Sequence, residues 1–175
     1  MTASAQPRQC GTCALCCKVM GIVELDKPRG RWCPHCRPGQ GCTTYDDRPE
    51  ECRTFSCLWL TQDFLGEEWK PDRSKLVLYT EHDANRLVVQ VDTGAAQAWR
   101  REPFFSQIKA WAQAGVDSRR QVLVVTGELT TLVLPDREVA LGKLAEGDLV
   151  IVRPRLDAGR PAYDVQVERK GMSPG

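Results

Sequence analysis

The sequence predicts an α+β protein in two parts. Residues 1–70 form an irregular cysteine-rich segment, and residues 71–175 a small antiparallel β-rich sheet or partial barrel with one helix. Three observations predict this. All nine cysteines lie between Cys10 and Cys57. The stretch from Asp26 to Gly41 is broken by Pro28, Gly30, Pro34, Pro38, Gly39 and Gly41, which leaves little room for regular structure. Beyond Lys75 the apolar residues fall into alternating runs, with a single stretch of helical period.

The elements follow in order. Residues 1–9 read as a polar tail. A helix is expected from Asp47, with Asp47 as N-cap, Glu50 closing a capping box and Pro49 in the first turn. Cys52, Phe55 and Trp59 then share one helical face. Trp69–Pro71 reads as a linker. Leu76 and Leu78, then Leu87, Val89 and Val91, alternate about the turn-prone stretch Glu81–Asn85 and predict a hairpin. Residues 103–114 predict an amphipathic helix with Pro103 at its first position. Phe104, Ile108, Trp111 and Ala112 lie on one face and Gly115 at the exit. Val122–Thr126 and Leu129–Leu134 flank Gly127-Glu128, a Gly-X pair that suits a type II′ hairpin. Strands at Leu149–Val152 and Tyr163–Val167, with Gly159-Arg160-Pro161 in the turn, complete the set.

A chain of 175 residues makes one domain or two small ones. Lys plus Arg number 24 and Asp plus Glu 23, so the net charge of +1 supplies no general attraction to nucleic acid or to an anionic membrane. With 42% hydrophobic residues and five Trp, a packed core is expected and wholesale disorder is not. No apolar run approaches the roughly 20 residues of a membrane-spanning helix. The start, MTASAQPRQC, lacks the apolar core of a secretory signal, so the expected compartment is the reducing cytoplasm.

In that compartment clustered thiols point first to metal, then to redox thiols or inert buried cysteines; an odd count without an export signal argues against a disulfide framework. The first cluster is Cys10-x2-Cys13-x2-Cys16-Cys17. Its opening matches the ferredoxin spacing and favours an iron–sulfur centre, but Cys17 directly follows Cys16 where that pattern has a later Cys before Pro. Adjacent residues point in different directions, so Cys16 and Cys17 face two different centres in one reading. The second cluster is Cys33-Pro34-His35-Cys36 and then Cys42. Paired with the first it fits the two-knuckle zinc template C-x2-C-x15–20-C-x2-C. Cys52 and Cys57 form a third group. All nine cysteines are candidate ligands of zinc or an iron–sulfur cluster, either as two four-cysteine centres with one spare or as one centre plus a redox pair. His35 is a possible ligand, weighed against a hydrogen-bonding or solvated role; His82 reads as a turn residue. Ligation would supply the folding energy of this irregular segment. The cysteine-free part from residue 74 is expected to fold without the metal.

The four-cysteine opening, followed by Gly41-Cys42-Thr43-Thr44-Tyr45-Asp46-Asp47-Arg48-Pro49-Glu50-Glu51-Cys52-Arg53-Thr54-Phe55, resembles the CxxCxxCC cysteine-cluster family, the YkgJ-type zinc- or iron-chelating domain. The resemblance covers about residues 10–60 and implies a bacterial cytoplasmic protein that chelates zinc or iron. Some proteins of this kind carry an iron–sulfur cluster and act in protein lysine methylation, as in flagellin lysine methylases. This chain has no glycine-rich nucleotide or S-adenosylmethionine loop, so that activity is not carried over. Cys36 is the candidate spare thiol.

Arg48 and Arg53 either offset the charge of a thiolate site or pair with Asp46, Asp47, Glu50 or Glu51. Tyr45 either hydrogen-bonds a ligand sulfur or packs on the helix. No H-E-x-x-H, G-x-S-x-G or Walker motif is present, and no catalytic residue is assigned. The aromatic–basic stretch Trp99–Phe105, with Lys109 and Trp111, is a stacking surface for single strands in one reading and helix core in the preferred one. Three functions remain open: a metal-binding protein, a cluster-dependent redox or protein-modifying enzyme, and a zinc-stapled module that binds a protein or nucleic acid.

Overall fold

The computed structural model describes residues 8–170; the polar tail expected at the start lies, up to residue 7, outside them. The fold is α+β, and the sheets do not close into a barrel. The cysteine-rich part holds short helices α1 (Leu15–Val19), α2 (Glu50–Thr54), α3 (Leu58–Thr61) and α4 (Pro71–Ser74), with a minimal hairpin of β1 (Cys36–Arg37) and β2 (Gly41–Cys42). A sheet follows, built from β3 (Leu76–Glu81), β4 (Arg86–Val91), β5 (Gln121–Thr126), β6 (Leu129–Val133) and β7 (Glu138–Lys143) in that spatial order. Helix α5 (Phe104–Ser118) joins β4 to β5. A two-stranded ribbon of β8 (Leu149–Asp157) and β9 (Arg160–Glu168) ends the described chain.

The expected hairpins form. Leu76 pairs with Val91 and Leu78 with Val89, and Thr126 pairs with Leu129 across Gly127, whose φ of 61° the two-residue turn requires. Four differences have local causes. The pair β4–β5 is parallel, because a helix rather than a tight turn connects it. Strand β7 escapes the sequence pattern because Glu138, Gly142 and Lys143 interrupt its alternation and a bulge shifts its register at Thr130/Thr131. The ribbon turns at Ala158 and Gly159, both at positive φ, rather than at Gly159–Pro161. Helix α5 runs through Gly115 to Ser118, and Arg119 at φ 55° terminates it with bonds from its own N–H to Val116 O and from Arg120 N–H to Gly115 O. These are the two bonds of a Schellman closure.

The cysteine segment also departs from expectation. Helix α2 starts at Glu50 rather than near Asp47, and its first N–H donates to Glu24 Oε2 at 3.3 Å in place of an Asp47 cap. It ends at Thr54, and Phe55 is extended, so Cys52 and Trp59 sit on two separate helices instead of one face. Trp69–Pro71 is no linker. Trp69 is buried, meets Phe104 edge-on at 4.7 Å between ring centroids and lies 5.1 Å from Trp111.

Register places Leu76, Leu78, Leu87, Val89, Val122 and Val124 on one sheet face and Val77, Tyr79, Leu123 and Leu132 on the other. The first face packs under Phe104, Ile108 and Ala112 of α5. On the second, Val77 and Tyr79 meet the cysteine segment, while Leu123 and Leu132 meet Val150 and Tyr163 of the ribbon. One hydrophobic cluster contains Leu15, Val19, Trp59 and Trp69 together with Leu76, Leu78, Phe104 and Ile108. It therefore runs across residues 70 and 71, where the sequence places the boundary between two parts. Among the described residues no helix is long and apolar enough to cross a membrane.

Candidate metal centre

Short turns anchored on this core aim the thiols inward. Gly11, at φ 55°, bends the chain so that Cys13 N–H reaches Cys10 O at 2.9 Å. Leu15 and Val19 bury the inner face of α1, and its remaining positions carry Cys16, Cys17 and Lys18. Cys33 N–H then donates to Cys17 O and Cys36 N–H to Cys33 O, each at 3.0 Å, and Cys36 pairs with Cys42 across β1–β2. Cys52 comes from α2 and Cys57 from the N-cap of α3. The result is a cavity of about 350 Å³ lined by eight of the nine thiols, with Cys36 outside it. Met20, Ile22, Phe55, Trp59, Leu60 and Val77 supply apolar walls.

Burial pushes the Cys10, Cys13, Cys52 and Cys57 thiols above their ordinary value. The backbone N–H groups of Leu15 and Asp72 beside Cys13, and of Leu60 and Trp59 beside Cys57, oppose that shift. Cys16 and Cys17 are driven apart. The close Cys16–Cys17 pairing lowers Cys17, with further help from Cys36 and the charge of Lys27, and raises Cys16. Burial, then the neighbouring Cys17, pushes Cys36 up to about 12.

Lys27 is the residue that sequence reasoning missed. It is 6% exposed and donates to the carbonyls of Lys18 at 3.3 Å, Pro28 at 3.2 Å and Met20. Burial lowers its pKa, and the thiols of Cys33, Cys17, Cys52 and Cys16 push it back up. A buried ammonium beside several sulfurs offsets the charge that thiolates would bring. No local signal marks it, because Asp26 at φ 47° and the bridge between Ile22 and Lys27 turn it inward only in the folded chain.

The other predicted residues fall as follows. His35 lines the cavity. His82 sits in the β3–β4 turn, with Nε2 3.1 Å from Thr80 Oγ1. Arg48 and Arg53 line the cavity without an ion pair to the four nearby carboxylates among the described residues. Arg48 instead donates to Tyr45 O at 2.7 Å and Cys52 O at 3.3 Å, and Arg53 to Arg48 O at 2.8 Å. Tyr45 takes neither expected role: it is exposed, with the Arg48 guanidinium 3.9 Å from its ring centroid. Trp99 is buried under Arg100 and Trp111 packs on the core, so the aromatic–basic stretch presents no stacking surface.

Among the described residues no group of three or more His, Cys, Asp or Glu side chains is arranged to hold a metal ion. The chemistry of the donor set nonetheless fits zinc or an iron–sulfur cluster: eight soft sulfur ligands about one space, beside a buried cation. Two buried polar atoms here lack partners. They are Nε1 of Trp59, which lines the cavity, and Oδ1 of Asp72, whose backbone N–H lies beside Cys13. No family model, curated protein or solved structure matches the chain.

Proposed function

We propose that the chain is a metal-binding protein that holds zinc or an iron–sulfur cluster in the cysteine-lined cavity, as the resemblance to the CxxCxxCC family implies. The observation that carries this reading is the convergence of eight thiols, from four separate stretches of chain, on one cavity next to buried Lys27. Inert cysteines scattered through a core require neither the convergence nor the cation. Bound zinc would staple the segment, and a bound iron–sulfur cluster would add one-electron chemistry.

The chain's own residues do the rest. Lys27 and Arg48 set positive charge near the sulfurs, and the N–H groups of Leu15, Asp72, Trp59 and Leu60 stabilise thiolate at Cys13 and Cys57. Thiols held protonated by burial must release protons as they bind, so uptake is accompanied by acidification.

The test is elemental analysis and an absorption spectrum of the protein purified without oxygen, for the native chain and for Cys13→Ser and Cys16→Ser. Bound zinc or iron in the native chain, mostly lost in both variants, is the expected result. A native chain free of both metals, or unchanged metal in both variants, overturns the proposal.

A further inference from the structure

We propose that Cys36 and Cys42 form a reversible disulfide across the β1–β2 hairpin, closed by hydroperoxides, and that its closure withdraws Cys42 from the cavity. The effect on bound metal rests on the metal-binding reading above and deepens it; the disulfide itself does not depend on that reading.

Backbone pairing carries the inference. Cys36 and Cys42 stand directly opposite each other, with Arg37 opposite Gly41. Thr43 N–H donates to His35 O at 2.8 Å, and Cys36 N–H is committed to Cys33 O at 3.0 Å. The two cysteines therefore occupy a non-hydrogen-bonded position of the antiparallel ladder. At such a position the Cα atoms lie about 4.5 Å apart, with both side chains on one face. A disulfide takes Cα separations of roughly 4.4–6.8 Å, so side-chain rotation suffices to join the sulfurs. The hairpin tip holds this register. Pro38 and Gly39, the latter at φ 77°, fill a turn that Gln40 N–H closes onto Arg37 O at 2.9 Å. Among the described residues no other two cysteines face each other across a strand pair.

The pair is also reachable. Both thiols are free and half-buried, and the tip from Arg37 to Gln40 is exposed, whereas Cys33 and Cys57 are buried. Thr44 Oγ1 lies 3.7 Å from the Cys42 sulfur, within reach to donate to a thiolate there. The Cys42 thiolate attacks one oxygen of the hydroperoxide, the O–O bond breaks, and the other oxygen leaves as alcohol or water. Cys36 then attacks the sulfenic sulfur of Cys42 and expels water. The two thiols lose two electrons and two protons, and the peroxide takes up both. A thiol reductant reopens the bond by exchange. Cys42 lines the cavity and Cys36 does not, so closure removes a cavity thiolate by way of a residue outside the cavity.

The experiment treats the full chain, metal-free and zinc-loaded, with hydrogen peroxide. Free thiols are blocked with a light alkylating reagent, disulfides are reduced, and the released thiols take a heavy reagent before peptide mass spectrometry. Heavy label on Cys36 and Cys42 together is expected in the metal-free chain. In the zinc-loaded chain it should rise in step with zinc release, and a thiol reductant should restore zinc uptake. C36S should keep its zinc under the same treatment, and C36A repeats the comparison should C36S disturb the hairpin. Heavy label joining Cys36 to Cys17 or to any other partner, no heavy label on Cys36 and Cys42, or zinc loss from both variants as fast as from the native chain overturns the proposal. A chain that is metal-free as purified and takes up no zinc overturns the metal-binding reading, while labelling of that same metal-free chain still decides the disulfide.

Discussion

Lys18 Nζ lies 2.5 Å from Asp92 Oδ1, with side chains only 19% and 12% exposed. The pair ties α1, one residue beyond Cys17, to the end of β4 across 74 positions of sequence. Asp92 Oδ1 also accepts Gly94 N–H at 2.9 Å, so the carboxylate caps the following turn while it holds the lysine. Replacing Lys18 by Met strands a mostly buried carboxylate and should destabilise the fold by about 2 kcal/mol. Asp92→Leu should cost more, since it also removes the cap. Urea unfolding of both singles and the double variant closes a cycle whose coupling should reach about 1 kcal/mol. Coupling near zero would show that the pair contributes nothing.

The contact of Trp69 with Phe104 yields a second expectation. Trp69→Ala should cost about 3–5 kcal/mol, in the range of large aromatic truncations in a core. Because the cluster includes residues from both sides of Trp69, amide protection should fall together in α1, in β3–β4 and in α5. Hydrogen exchange confined to the first 70 residues would contradict a shared core.

At Gly115 two effects oppose each other. Alanine in a helix interior ordinarily gains about 1 kcal/mol over glycine. Here a Cβ would stand 2.5 Å from the carbonyl oxygen of Arg120, the residue whose N–H closes the helix onto Gly115 O. The clash is with backbone, so the closure must open, and Gly115→Ala should lower stability by about 1–2 kcal/mol despite the better propensity. A raised thermal midpoint would refute this.

Asp148 anchors the base of the ribbon. It is 5% exposed and accepts from Ala145 N–H at 2.9 Å, Lys170 N–H at 3.0 Å and Arg169 at 2.8 Å. The Ala145 bond first, then those of Lys170 and Arg169, holds its carboxyl below the ordinary 3.8. A lowered folded value stabilises the fold fully above that ordinary value, and the contribution is lost as pH falls through the lowered one. Carbon NMR of the carboxyl should therefore show titration below 3.8, with Arg169→Gln moving it part of the way up. Ribbon amides should lose protection over the same acid range. Titration at or above the ordinary value would exclude the clamp.

What the sequence determined by itself is whatever depends on near neighbours. The alternation of Leu76, Leu78, Leu87, Val89 and Val91, the Gly127-Glu128 turn and the Phe104–Ala112 stripe are local periodicities, and each appears where it was read. The confinement of cysteine to Cys10–Cys57 is likewise plain in the linear chain. The same local reasoning misplaced the exit of α5, because Gly115 is required by the approach of Arg120 and not by a left-handed backbone. It also started α2 too early, because Glu24 rather than Asp47 receives the first N–H. Only the tertiary structure decided that Trp69 is core, that β7 completes the sheet, that Lys27 lies beside the sulfurs and that Cys57 neighbours Cys10 and Cys13. Those facts depend on which distant segments pack together. Burial and proximity are settled by the chain as a whole, whereas turn chemistry and periodicity are settled within a few residues.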